Sequence, residues 1–241
     1  MSDQDNIYNT PQSAVADFEF NTAVARVFPD MIKRSVPGYA ETVAMSGIIA
    51  ARYAQPGTHL YDLGCSLGAV TLAMRHALKT SDCKIIGIDN SESMLERAGH
   101  YLALDDDGPE VDLVCADICE CPIENASVTA LNFVLQFIEP QKRLALLTRI
   151  AEATCEGGAL ILSEKIAFDD QEQALQTELH HDFKRANGYS DLEISQKRSA
   201  IENVLIPETE SAHRERLMQA GFSQVIRWYQ CFNFVSYLAI K

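Results

Sequence analysis

Two glycines and one aspartate stand at a spacing that suits a nucleotide. Gly64 and Gly68 follow an apolar run, with Ser66 between them, and Asp89 ends a second apolar run. A strand, a glycine turn, a helix and a second strand ending in an acid about 20 residues downstream form a βαβ unit whose acid accepts ribose hydroxyls. The alternative role for Asp89 is to cap the following helix together with Ser91. The spacing matches neither a dinucleotide fingerprint nor a P-loop, so it predicts an adenosine ligand without a phosphate that needs cradling.

Four further residues could contact such a ligand. Asp117 and Ile118 end a third apolar run and could hold the adenine amine and ring edge. Asn132 lies in an apolar stretch, where a buried amide either joins a loop to the sheet or faces the ligand. Tyr39 could bring its hydroxyl or ring face to a sulfonium centre, or pack as an ordinary aromatic. The residues alone leave these alternatives open.

The cysteines and histidines do not predict a metal site. Cys115, Cys119 and Cys121 miss a radical-type iron–sulfur spacing by one position, and a zinc site would need a fourth ligand nearby. The adjacent His180, His181 and Asp182 lack metal-site spacing as well. We therefore expect no metal cofactor.

The charge of the chain restricts its partners. The chain has 20 Lys and Arg against 34 Asp and Glu, a formal net charge of −14 in 241 residues. Such a field repels phosphate backbones and anionic lipids, so we expect neither direct nucleic-acid binding nor membrane association. No apolar run approaches the ~20 residues of a membrane span, and residues 1–12 lack the features of a leader peptide, which predicts a cytoplasmic protein.

Basic residues are concentrated in one polar segment of this acidic chain, at Lys184, Arg185, Lys197 and Arg198. An arginine there could bind a carboxylate with two parallel hydrogen bonds, which lysine cannot do. The alternative is a solvated helix face with local ion pairs. Position in the sequence does not single out Arg198.

The hydrophobic pattern predicts an α/β fold with five segments. These are a mobile N-terminal tail or flap at 1–17, a helical cap at 18–55, a nucleotide-binding core at 56–165, a helical insertion that covers the site at 166–207, and a closing helix and β-hairpin at 208–241. Strands are expected at 59–63, 84–89, 111–116, 130–137, 159–163, 225–230 and 234–240. Together they predict a doubly wound, mostly parallel, seven-stranded sheet with one antiparallel edge strand.

On the Asp62-Leu63-Gly64 turn, Asp89, Asp117, the Gly157-Gly158 turn and the closing hairpin, the chain resembles a class I S-adenosylmethionine-dependent methyltransferase with a Rossmann-like fold. A closer resemblance, from about Phe18 onward, is to the carboxy-S-adenosylmethionine synthase family. The runs that carry it are Val27–Ile32, Arg34–Tyr39, Tyr61–Gly68, Ile123–Ser127, His180–Tyr189 and Leu192–Arg198.

That resemblance implies an enzyme that converts S-adenosylmethionine and prephenate to carboxy-S-adenosylmethionine and phenylpyruvate. The product supplies a separate enzyme that modifies wobble uridine in tRNA, and the resemblance also implies a homodimer. It makes Arg198 the partner of the added carboxylate and indicates no general base. Around the adenosyl donor it places Tyr39, Gly64, Cys65, Ser66, Asp89, Asn90, Asp117, Ile118 and Asn132.

Two other functions compete with this one. A tRNA methyltransferase would need a basic face for phosphates, which suits neither the net charge nor a basic cluster confined to one segment. A non-catalytic S-adenosylmethionine-binding partner of a tRNA-modifying enzyme would bind the donor without turning over prephenate.

Overall fold

A computed structural model describes residues 3–12, 14–78, 82–105 and 107–241. One sheet organises the chain, in the order β3-β2-β1-β4-β5-β8-β7, with the short β6 paired to β5. The strands are β1 Thr58–Leu63, β2 Cys83–Asp89, β3 Val111–Cys115, β4 Ala126–Asn132, β5 Thr154–Ala167, β6 Glu208–Thr209, β7 Gln224–Cys231 and β8 Phe234–Ile240. The helices are α1 Thr22–Ser35, α2 Tyr39–Tyr53, α3 Ala69–Ala77, α4 Glu92–Leu102, α5 Pro140–Ala153, α6 Asp170–Ala186, α7 Asp191–Ile201 and α8 Glu210–Ala220.

The predicted doubly wound, mostly parallel sheet is confirmed, with a correction to its edge. Strands β1 to β5 pair in parallel, and β8 runs antiparallel to both β5 and β7. The antiparallel strand therefore lies one position inside the edge. Burial explains this order, because nearly all of β8 is buried whereas β7 is largely exposed and can face solvent.

Apolar side chains cover both faces of the sheet. On one face, Val70 and Met74 of α3 pack with Ala50 of α2 against strand residues. On the other face, Leu147 of α5 and Leu217 of α8 belong to the larger core cluster. Helices on both faces bury the sheet and leave the carboxyl ends of its strands as the place for a ligand.

The fourth strand ends earlier than the apolar run 130–137 predicts. It stops at Asn132 because Phe133 has a φ of +61°, and a 3₁₀ turn follows at Leu135–Phe137. The Glu164 carboxylate accepts the backbone N–H groups of Leu135 and Gln136, both at 2.9 Å, and so stabilises the turn. This bend places Asn132 at the carboxyl edge of the sheet.

The N-terminal segment and the insertion meet over that edge. Asp5 and Tyr8 of the segment predicted as a tail are buried, and the Gln196 side chain of α7 donates to the Tyr8 carbonyl at 2.8 Å. Helix α7 begins with a capping box in which Ser190 and Glu193 bond each other's backbone. None of the helices in the described ranges combines the length and hydrophobicity needed to span a bilayer.

Candidate functional site

A cavity of about 320 Å³ opens at the carboxyl ends of the parallel strands, under the insertion. This volume is in the usual range for small-molecule sites. Nine of the ten predicted site residues line it, namely Tyr39, Gly64, Cys65, Ser66, Asp89, Asn90, Asp117, Ile118 and Asn132.

The glycine loop is held to β2 by backbone and carboxylate bonds. The N–H groups of Gly64 and Cys65 both donate to the Ile88 carbonyl, at 2.7 and 3.0 Å. Asp89 accepts the Ser66 N–H on one oxygen and the Ser91 N–H on the other, each at 2.9 Å. Asp89 thus takes both of its predicted positions, beside the helix start and on the cavity wall.

Gly64 provides a test of the loop. Its φ is +74° and a Cβ would collide with Val134, whereas Gly57, with φ +73°, has open space around the same position. Alanine at either position destabilises the fold by about 1–2 kcal/mol because its backbone must stay left-handed. We expect overpacking against Val134 to lower the free energy of unfolding of Gly64→Ala by a further ~1–3 kcal/mol and to weaken binding of the adenosyl ligand. Urea unfolding of both variants measures the difference, and equal losses would contradict the predicted clash.

Asp62 is a cavity residue that the sequence analysis did not assign. Its Oδ2 accepts the backbone N–H of Thr71 at 2.9 Å and the Thr71 hydroxyl at 2.7 Å. Burial, aided by the charge of Asp89, raises the pKa of Asp62 to about 6. A cation in the cavity would favour the ionised carboxylate. The position of Asp62 before Leu63-Gly64 was the available signal.

We call the cavity wall formed by Asp62, Asp89 and Asp117 the donor half. These three acids lie at or just beyond the carboxyl ends of β1, β2 and β3. Carboxylates in this arrangement can accept ribose hydroxyls and an exocyclic amine and can face a positive ammonium or sulfonium. The residues present therefore fit a cationic adenosyl ligand.

Asn132 and Tyr39 border the donor half. The Asn132 Oδ1 accepts the Ser163 hydroxyl at 2.5 Å and its Nδ2 donates to the Ser46 hydroxyl at 3.3 Å, so this amide joins neighbouring elements and also lines the cavity. Tyr39 starts α2, and its ring centroid lies 6.3 Å from that of Phe133. Burial raises the pKa of Tyr39 well above its ordinary value, which keeps the hydroxyl protonated.

The opposite wall is basic and aromatic, and we call it the lysine half. It contains Lys165 of β5, Lys184 of α6 and Lys197 of α7, together with His180 of α6. The rings of Phe133 and Phe234 lie edge to face at 6.0 Å, and His180 lies 5.0 Å from Phe234. Lys184 and Lys197 belong to the basic cluster noted in the sequence, whereas nothing in the local pattern marked Lys165.

Arg198 lies outside the residues that line the cavity. The side chain of Arg198 is exposed, whereas Lys197, one residue earlier, is 7% exposed and faces inward. The Lys197 ammonium lies 3.5 Å from the Asp5 carboxylate and 3.0 Å from the Ser35 hydroxyl. Burial, and to a lesser extent the charge of Arg198, lower the pKa of Lys165.

The cysteines are free thiols in this structure. Cys121 Sγ lies 3.8 Å from the Ile118 carbonyl, in an ordinary buried contact. Within the described ranges, no group of three or more His, Cys, Asp or Glu side chains could hold a metal ion.

Comparison with known proteins identifies close relatives. Residues 60–158 match the methyltransferase domain family model. The carboxy-S-adenosyl-L-methionine synthase of Marinobacter nauticus is 66% identical over 226 residues, which cover 93% of this chain and 90% of the relative. The synthase of the same name from Trichlorobacter lovleyi is 61% identical over 98% of both chains. These identities show the family as well as the fold.

Solved structures support the same architecture. The magnesium protoporphyrin IX methyltransferase of Synechocystis, crystallised with bound SAH, has a TM-score of 0.60 at 17% identity, covering 98% of this chain and 91% of its own. At this identity the likeness concerns the fold alone.

Proposed function

Because the chain belongs to the carboxy-S-adenosyl-L-methionine synthase family, we propose that it converts S-adenosyl-L-methionine and prephenate to carboxy-S-adenosyl-L-methionine and phenylpyruvate. One observation carries the second substrate: the acidic donor half faces a wall of lysines and phenylalanines in the same cavity. A site that binds only a methyl donor needs the acidic wall alone. A carboxylated substrate with an apolar ring accounts for the wall of lysines and phenylalanines.

The donor half would hold the adenosyl substrate through its carboxylates. Asp89 would accept the ribose hydroxyls, and Asp117 with Ile118 would meet the adenine. Asp62 and the Tyr39 hydroxyl line the same cavity and would face the positive methionyl end. These roles follow from the chemistry of each group and from its place on the cavity wall.

The reaction needs a dry, enclosed site. As prephenate aromatises it releases carbon dioxide and hydroxide; the hydroxide takes a proton from the acidic methyl group beside the sulfonium, and that carbon bonds the carbon dioxide. Water is the remaining product, so atoms and charge balance. Residues of α1 and of the insertion line the cavity opposite the sheet edge, and this cover would limit the loss of carbon dioxide and unwanted proton exchange with solvent.

We also propose a cytoplasmic homodimer whose product supplies a separate enzyme acting on tRNA wobble uridine. The family resemblance supports these points. The net charge of −14 supports the absence of direct contact with the tRNA. Light scattering should give twice the 26.7 kDa chain mass, and a monomer at micromolar concentration would contradict the proposed dimer.

The decisive measurement is the mass of the nucleotide made by the purified enzyme. After incubation with S-adenosylmethionine and prephenate, the denatured protein should release a nucleotide heavier by one carboxyl group, with phenylpyruvate formed in equal amount. Release of unmodified S-adenosylmethionine alone would instead indicate a non-catalytic protein that only binds the donor. Methylation of unmodified tRNA in a parallel assay would instead favour the methyltransferase. Either result would falsify the proposed reaction.

A further inference from the structure

We propose that Lys165 and Lys184 form the binding site for the two carboxylates of the second substrate, and that this pair selects a dicarboxylic acid. The inference rests on the proposed function and adds to it the residues that hold the acid. It concerns binding and specificity and adds no chemical step.

The first support is the pairing of charges in the lysine half. Lys197 is bonded to the Asp5 carboxylate and the Ser35 hydroxyl, so its charge already has a partner. Among the residues that the structure describes, the ammonium groups of Lys165 and Lys184 have neither an acidic partner nor a side-chain hydrogen bond, yet both line the cavity. Two unpaired cations match one dianion.

The second support is the distance from the donor half. Lys165 lies on β5, and β4 separates that strand from β1, which bears Asp62. Asp62 is in register with Ile161 of β5 through Ala130, and Lys165 lies four residues beyond Ile161. Two strand spacings of about 4.8 Å and four residues of about 3.3 Å place the Lys165 backbone roughly 16 Å from that of Asp62. This separation leaves room for a second molecule beside an adenosyl donor, and it prevents the donor-half acids from neutralising the lysines directly.

The third support is the aromatic surface of the lysine half. Phe133 and Phe234 form an edge-to-face wall beside His180, whose Nε2 donates to the Ser35 carbonyl at 2.7 Å. The neutral imidazole therefore keeps its lone pair on Nδ1 and can accept a hydrogen bond. Prephenate carries both carboxylate-bearing groups on one ring carbon and its hydroxyl on the opposite carbon, so its ring can pack on the phenylalanines while the carboxylates face the lysines and the hydroxyl faces His180.

The lysines repel one another while the cavity holds no anion. Burial, and then the charges of Lys197 and Lys165, lower the pKa of Lys184 to about 7. Burial and the charge of Arg198 also lower the pKa of Lys165. A bound dianion reverses this effect, so binding takes up protons and affinity falls as the pH rises through the pKa of free Lys184. The other titratable groups near this wall are His180, His181, Lys197 and Asp5, together with the exposed Arg198 on the outer side of α7.

Charge-removing variants test the pair. Lys165→Gln and Lys184→Gln should each raise KM for prephenate about tenfold, the loss of one charged hydrogen bond, and change the Kd of S-adenosylmethionine less than twofold. Lys33→Gln removes the same charge from an exposed position on α1 and should change neither. Unchanged donor affinity also shows that the variants are folded.

Binding without turnover separates this inference from the proposed reaction. Calorimetric titration with benzylmalonate, an inert aromatic dicarboxylate, should show the same loss of affinity in Lys165→Gln and Lys184→Gln. The affinity of the wild type for benzylmalonate should also decline between pH 6.5 and 8.5, the range about the lowered pKa of Lys184. The two variants should lose less affinity for the monocarboxylate phenylpyruvate than for benzylmalonate. If wild type makes no product from prephenate, the reaction fails while benzylmalonate still reports on the lysines. The pair is refuted if both variants bind benzylmalonate as Lys33→Gln does, or if they lose S-adenosylmethionine equally, which would assign them to the donor's own carboxylate.

Discussion

Replacing Asp89 with alanine should lower the affinity for S-adenosylmethionine at least a hundredfold. Each hydrogen bond to a charged carboxylate contributes about 1.5–3 kcal/mol, and the proposed bonds to two ribose hydroxyls would be lost together. The carboxylate also accepts the Ser66 and Ser91 N–H groups, so its removal loosens the loop that shapes the site. Isothermal titration with S-adenosylmethionine measures the loss.

The control is a surface acid on the neighbouring strand. Asp112 of β3 is 2.7 Å from the Lys84 ammonium, and both side chains are partly exposed. Asp112→Ala should leave donor affinity within twofold of wild type, because an exposed ion pair contributes little. Asp89→Asn keeps one acceptor oxygen, so its affinity for S-adenosylmethionine should lie between those of wild type and Asp89→Ala. Donor binding by folded Asp89→Ala at the wild-type Kd would remove the ribose role.

The donor half was predictable because its residues follow one another along the chain. In parallel βαβ units, successive strand ends meet at the same edge, so Gly64, Asp89 and Asp117 could be placed together from local pattern alone. The helix expected after the glycine turn forms at Ala69–Ala77, and the predicted closing hairpin forms from β7 and β8. Asp62 belongs to the same pattern. The sequence around it, however, does not show whether an acid at the end of a strand contacts a ligand or only stabilises the adjacent loop.

The fourth strand shows where the local sequence pattern fails to predict the structure. The apolar run past Asn132 reads as a continuing strand, yet Phe133 turns into a left-handed conformation, and the Glu164 carboxylate stabilises the following turn. Glu164 is about thirty residues away in sequence, so its effect is a tertiary one. At the beginning of β4, Ser127 is buried and accepts the Thr58 hydroxyl, a pairing that a polar sequence does not reveal.

The residues that form the lysine half could be identified only from the three-dimensional structure. The sequence grouped four basic residues, but successive residues of a helix point about 100° apart, and the structure divides each adjacent pair. Lys184 and Lys197 line the cavity, whereas Arg185 and Arg198 are exposed. Arg185 pairs with Asp182 and Asp191 on the surface. Only the packing of α6 and α7 decides which member of each pair faces inward.

Arg198→Ala should weaken binding of carboxy-S-adenosylmethionine about a hundredfold and binding of S-adenosylmethionine less than threefold. The family resemblance assigns Arg198 to the added carboxylate, and two parallel charged hydrogen bonds account for the expected loss. Arg198 is exposed in this structure, so α7 must shift, or a second copy must present its own α7, for the contact to form. Titration of both nucleotides, with retained ligand identified by mass spectrometry, measures the ratio.

The matched control for Arg198 is Arg185→Ala, which removes an exposed arginine from the same insertion. It should leave the ratio of the two affinities unchanged, because its partners are surface acids. Equal losses of both nucleotides in Arg198→Ala would show a role in positioning the insertion. No loss of either would leave Arg198 on a solvated helix face, and discrimination between the nucleotides would then have to come from the lysine half. In that case Lys165→Gln and Lys184→Gln should lower affinity for the carboxylated nucleotide more than for S-adenosylmethionine.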